Sequence, residues 1–184
     1  LALKNWQARN ICSPAPELKT KSLKHSATIS TNKSLLDPFH MTYSETIDYL
    51  YAAAPLFQQV GGAAYKEGLQ TTLLLDEHFH HPHRNFRTIH VAGTNGKGSC
   101  AHTLAATLQH KGLKTGLYTS PHLVDFRERI RVNGEMIPED YVVKFVEQER
   151  CFFEPLHPSF FELTTALAFK YFADAEVDVA VIEV

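Results

Sequence analysis

No apolar run in these 184 residues approaches the ~18–20 needed to cross a bilayer, so no membrane-spanning segment is predicted. Cysteine is scarce: Cys12, Cys100 and Cys151 are far apart, odd in number and without metal-ligand spacing. They read as free thiols in a reducing cytoplasm rather than as a disulfide framework or a metal site. Neither sign of charge is in excess, with 18 Lys and Arg against 20 Asp and Glu and a net charge of −2. A general binder of nucleic acid or membrane surface is therefore not expected. No internal repeat is visible. What remains is ordinary globular composition, 44% hydrophobic and 21% charged, long enough for one domain with a sizeable core.

Residues 1–40 differ from the rest. Lys4, Arg9, Lys19, Lys21, Lys24 and Lys33 face only Glu17 and Asp37 there, among scattered Ser, Thr and Pro with no sustained apolar periodicity. The stretch reads as a disordered leader or upstream extension before a start at Met41. A transit peptide is the sharper alternative, but no amphipathic Arg-rich face can be drawn. At the other end the chain stops inside Val177–Val184, a pattern of a buried strand, so it reads as a fragment comprising residues 41–184 of a longer domain.

Strands and helices alternate in between. Thr42-Tyr43-Ser44-Glu45 has the form of a capping box, followed by Ile47, Leu50, Tyr51 and Ala54 on one helical face. A second helix is predicted from Lys66 to about Phe79. Thr88–Ala92 reads as a strand running into Gly93-Thr94-Asn95-Gly96-Lys97-Gly98-Ser99, then a helix to Lys111 that Gly112 ends. A strand over 114–119 stops at Ser120-Pro121. Asn133-Gly134 between two β-type stretches signals a tight hairpin. Pro138-Glu139-Asp140 opens another helix, 161–172 a further one, and the Val-rich end is a strand buried on both faces. This order predicts an α/β fold on a parallel sheet, with ligands at the carboxyl ends of the strands.

The chemistry is concentrated in Gly93–Ser99. Glycines let the backbone curl so that several N–H groups form a nest for phosphate oxygens. The following helix adds its positive end, and the Lys97 ammonium can neutralise β- and γ-phosphates. The spacing departs from the usual phosphate loop. Counting back from Gly96, the first glycine would fall on Val91, and the hydroxyl comes one place late, at Ser99. Glu183, an acid at the end of a buried strand, is well placed for a hard cation. Ser120, taken alone, only begins a turn.

Gly-Thr-Asn-Gly-Lys-Gly-Ser resembles the phosphate loop of the Mur-ligase superfamily, and its Gly-Ser ending resembles the folylpolyglutamate/dihydrofolate synthase branch. The resemblance continues through Tyr118–Leu123, Phe126–Gly134, Phe160–Phe169 and Val177–Val184, and includes Tyr65-Lys66-Glu67-Gly68-Leu69. It covers residues 41–184. It implies the front of a Mur-ligase-like ATP-binding domain, cut before a C-terminal domain. It further implies a cytoplasmic, monomeric ligase that joins L-glutamate to dihydropteroate or reduced folates, with ATP as co-substrate and Mg²⁺ as cofactor. By the same resemblance Gly93, Thr94, Asn95, Gly96, Lys97, Gly98 and Ser99 hold ATP. Ser120 and Glu183 hold the metal, and Lys97 and Glu183 serve catalysis. Gly68, Leu69, Pro121, His122, Phe160, Phe161 and Glu162 line the acyl-substrate site. The remaining metal ligand, a modified lysine and a second domain would lie beyond Val184, so the isolated chain is expected to be inactive.

Two constellations stay outside that set. His78, His80, His81 and His83 invite a metal, but their polar segment, broken by Pro82, reads as a solvated loop. Arg127, Glu128, Arg129 and Arg131 read as charged faces of a loop and hairpin. Phe160 and Phe161 are, from periodicity alone, equally core of the next helix. The rival functions are a phosphate-loop kinase or NTPase that forms no amide, and a nucleotide-binding module without turnover.

Overall fold

The computed structural model describes residues 41–53 and 68–184. The expectations for residues 1–40, for Tyr65–Glu67 and for a helix beginning at Lys66 lie outside them. Two helices come first, α1 (Tyr43–Ala53) and α2 (Gln70–His78), then β1 (Arg87–Val91), α3 (Lys97–His110) and β2 (Thr115–Tyr118). A hairpin of β3 (Ile130–Val132) and β4 (Glu135–Met136) follows, then α4 (Glu139–Phe153), α5 (Phe160–Asp174) and β5 (Val179–Glu183). Among the described residues no helix is long and apolar enough to cross a membrane.

The caps explain where the helices start. Thr42 Oγ1 accepts from Glu45 N (3.3 Å) while Glu45 Oε2 accepts from Thr42 N (2.8 Å), the reciprocal pair that the sequence predicts before α1. A second capping box, not foreseen, opens α5: Ser159 Oγ accepts from Glu162 N (3.2 Å), and Glu162 Oε2 accepts from Ser159 N (2.8 Å). Gly112, at φ 82°, carries the left-handed turn that ends α3, so that Leu113 N reaches back to Leu108 O.

The described strands form one sheet in the order β1-β5-β2-β3-β4. β5 runs parallel to both β1 and β2, and all five of its residues are buried, as its run of Val and Ala predicts. The hairpin expected at Asn133-Gly134 forms one edge of the parallel α/β sheet. Asn133 (φ 50°) and Gly134 (φ 84°) turn the chain back at once, so β3 and β4 pair antiparallel and the sheet is mixed.

The period-two alternation of the strands divides the core in two. Val91, Leu117 and Val181 face Ala101 and Ala105 of α3 on one side. Tyr118, Ile130, Ala180 and Ile182 face α1, α2, α4 and α5 on the other, with Leu50, Leu75, Phe153, Leu167 and Phe172 fully buried. Each such side chain contributes about 1.5–3 kcal/mol through burial. Glu183 shares its parity with Val181, which aims it at the α3 side. Cys100 is a free, exposed thiol. Cys151 is disulfide-bonded, which corrects the expectation of a free thiol there.

Candidate functional site

β1 ends at buried Val91, and the chain climbs through exposed Gly93, Thr94 and Asn95 before α3 begins at Lys97. Gly96 caps the helix at φ 75°, ψ 4°, a left-handed conformation that a side chain would strain. No side chain caps this helix, so its first amides stay available to an anion at the positive end of the helix dipole. Lys97 bends over the loop it follows, and its Nζ donates to Gly93 O at 2.9 Å.

Strand register brings two further groups to the loop. Val91 and Glu183 are partners across β1 and β5, which sets Glu183 beside the loop's root. Ser120 follows β2, the neighbour of β5 on the other side, and its backbone N lies 3.4 Å from Glu183 Oε2. A Cβ built on Gly98 would stand 3.8 Å from the same oxygen. The first turn of α3, the end of β5 and the loop after β2 therefore meet at one carboxylate.

Glu183 is only 5% exposed, and among the described residues it makes no ion pair. Taking a carboxylate out of water is costly unless a positive partner compensates. The donors here, a carboxylate with a half-buried serine beside it, are hard oxygens that fit Mg²⁺ rather than a soft metal.

Beside this point stands an aromatic wall. Tyr51 of α1 stacks on Phe160 of α5 (5.3 Å, 12°), and Phe126 meets Phe160 edge to face (6.1 Å, 82°). Arg129 is buried behind them, 7% exposed, its guanidinium 5.2 Å from the Phe160 centroid. Its Nε donates to His122 Nδ1 at 2.7 Å. Since Nδ1 accepts, the ring proton sits on Nε2, which then donates to Tyr51 Oη at 3.0 Å. Burial first, and the Arg129 charge second, push the His122 pKa below its ordinary 6.5. Burial also lowers that of Arg129.

The predicted site residues thus fall into two groups. Gly93–Ser99, Ser120 and Glu183 converge at the strand ends, and His122 and Phe160 join the wall. Phe160 is core, while Phe161 is 46% exposed, with its ring near Tyr118. Glu162 is occupied: one oxygen caps α5 and the other accepts from Thr72 Oγ1 (3.2 Å), which draws the start of α2 to the start of α5. Gly68 and Leu69, both exposed, lie just before α2, and Pro121 is exposed after a cis peptide.

Sequence reasoning missed two arrangements. Arg129, read as a surface charge, is buried, and only its position next to the buried run Ile130–Val132 hinted at that. The histidines are not simply solvated. His78 stacks on Phe152 (3.6 Å) and donates to Glu149 (2.7 Å), while His81 and His83 each bond one oxygen of Asp76 at 2.6 Å.

A strand, a glycine loop and a helix over a buried strand-end carboxylate define a phosphate-loop α/β domain. No family model matches the chain. Curated relatives do: it is 39% identical over 151 residues to folylpolyglutamate synthase of Lacticaseibacillus casei, covering 78% of this chain and 34% of the relative. It is 39% identical over 125 residues to dihydrofolate synthase/folylpolyglutamate synthase of Bacillus subtilis, covering 64% and 29%. A solved folylpolyglutamate synthase–AMPPCP–folate complex superimposes with a TM-score of 0.67 at 40% identity, over 78% of this chain and 35% of that one. The chain is similar to the N-terminal part of folylpolyglutamate and dihydrofolate synthases and spans about a third of the length of these relatives.

Proposed function

We propose that the protein to which this chain belongs is an ATP-dependent ligase of the cytoplasm that adds L-glutamate to dihydropteroate, to reduced folates, or to both, and acts as a monomer. The observation that carries the reading is the meeting of Gly98, Ser120 and Glu183 beside a loop whose lysine lies over it. AMPPCP is an ATP analogue, and a relative that binds it together with folate supports the same pair of ligands here.

Carboxylates are poor acyl donors because the group that leaves would be oxide. A substrate carboxylate oxygen attacks the γ-phosphorus of ATP, the bond to the β-phosphate oxygen breaks, and ADP departs with the electron pair. The glutamate amine then attacks the acyl carbon of the acyl phosphate, the acyl–oxygen bond breaks, and phosphate leaves as the amine loses its proton. Catalysis of this kind is positioning and charge neutralisation. The amides of Gly93–Ser99 cradle the phosphates, and Lys97 exchanges Gly93 O for a phosphate oxygen. Ser120 and Glu183 would hold Mg²⁺, which when bound spreads the phosphate charge. Phe161, exposed beside Tyr118, offers a fused heteroaromatic ring a face to stack on, and Gly68, Leu69, Pro121 and His122 are assigned to the same substrate by the family resemblance. Phe160 and Glu162 serve the same end of the site from behind, as packing and as a helix cap.

Because the chain spans only about a third of its relatives' length, residues 41–184 alone are expected to form no amide. The test is ADP release by the full-length protein with dihydropteroate, with and without glutamate. Release that needs both substrates supports the ligase. ATP hydrolysis indifferent to both would favour a phosphate-loop NTPase instead, and nucleotide binding without turnover would favour the inert module.

A further inference from the structure

Arg129 is the buried charge that the reaction above does not use. Its Nε is committed to His122, and no carboxylate among the described residues pairs with it. Neither Nη group donates to any described oxygen, yet no buried side-chain nitrogen lacks a partner. The two Nη groups therefore reach accessible space, although the residue as a whole is more than nine-tenths buried. Around them stand Tyr51, Tyr118, His122 and Phe160, all without charge, since the Arg129 bond keeps His122 neutral. A guanidinium fixed by its Nε and by an aromatic face presents a rigid two-pronged fork, whose planar match is a carboxylate. The fork is also near the chemistry: Thr119 N donates to Arg129 O (2.9 Å), which seats Arg129 opposite the residue before Ser120.

We propose that Arg129 is the carboxylate-binding residue of the acyl-substrate site, gripping the carboxylate of the acyl substrate beside Ser120. This rests on the ligase reading and deepens it. Lys97 and the loop amides face the phosphates, so the acidic substrate needs a cation of its own, and Arg129 is the buried one left unpaired. His122 and Phe160 then act mainly by holding the fork in place.

The experiment compares binding of pteroate and of its carboxamide to the full-length protein by calorimetry, without nucleotide. Wild type binds the carboxylate about 30-fold more tightly, the worth of a charge-assisted bidentate pair. In Arg129→Gln the two ligands bind within about threefold of each other, and Arg129→Lys, which keeps the charge but loses the fork, falls between. Loss of packing alone would weaken both ligands alike and leave their ratio unchanged. Equal binding of the two by wild type overturns the inference by itself, whether or not the variants fold. Failure of wild type to bind either overturns the ligase reading along with it.

Discussion

Gly116 lies in β2, four residues before Ser120, with the ring of Phe172 pressed flat against its backbone. A Cβ added there would meet Phe172 Cδ1, Cε1 and Cγ at 2.9, 3.0 and 3.1 Å. Ordinary carbon contacts begin near ~3.5 Å, so Gly116→Ala demands a retreat of about half an ångström. The ring has little room for it. Phe172 is fully buried on α5, and Phe86 closes its other side edge to face at 5.9 Å. Overpacking of this kind costs about 1–3 kcal/mol. The alanine recovers roughly 0.4–1 kcal/mol by restricting the unfolded chain, which leaves a net loss near ~1–2 kcal/mol. The measurement is urea denaturation of the full-length protein followed by circular dichroism. Shrinking the ring removes the clash, so Gly116→Ala in a Phe172→Leu background should cost less than the sum of the two changes by at least ~1 kcal/mol. Because β2 carries Ser120, turnover should fall with the single change and recover in part with the double. Stability of Gly116→Ala within about 0.5 kcal/mol of wild type, or simple additivity in the double variant, would refute the packing argument.

Two further outcomes test other parts of the molecule. Lys97→Ala removes one half-exposed bond to Gly93 O, so it should leave the urea midpoint nearly unchanged while abolishing glutamate-dependent ADP release; near-normal turnover would remove Lys97 from the mechanism. Asp125 is held at a pKa of about 2, below its ordinary 3.8, chiefly by the hydrogen bond from the Arg127 guanidinium. A depressed carboxylate stabilises the fold fully above its unfolded pKa and ceases to as pH falls through the folded one. The stability gap between wild type and Asp125→Asn should therefore be constant above about pH 4 and close towards pH 2; a gap that widens with acid would show that the ion pair does not hold the loop.

Local chemistry was legible in the residues, and contacts across the fold were not. The capping box at Thr42, the helix-ending Gly112 and the Asn133-Gly134 turn depend on a few adjacent residues, and each forms as its neighbours dictate. The strand–loop–helix run from Val91 to Lys97 is legible for the same reason. Pairing between strands distant in the chain decided the rest. Whether Glu183 would meet Gly98 and Ser120 depended on β5 entering between β1 and β2, which no local pattern records. Arg129 shows the opposite error. Charges spaced two apart at Arg127, Arg129 and Arg131 look like a solvated face, but the alternation of β3 turns Ile130 and Val132 inward, and Arg129 enters the core beside them. The capping role of Glu162 was not legible because its partner Ser159 lies outside the Phe160–Phe169 block that carries the resemblance.

The resting position of Lys97 has its own consequence. Its ammonium rests on a neutral carbonyl of the loop, and among the described residues no acid clasps it. In the proposed ligase an arriving phosphate would displace a weak neighbour, with no charge pair to rupture first. Had the same lysine reached Glu183, the two would have cancelled each other, and nucleotide and cation would both have had to compete for groups already satisfied. Keeping the two charges apart would leave each ready for a visitor of opposite sign.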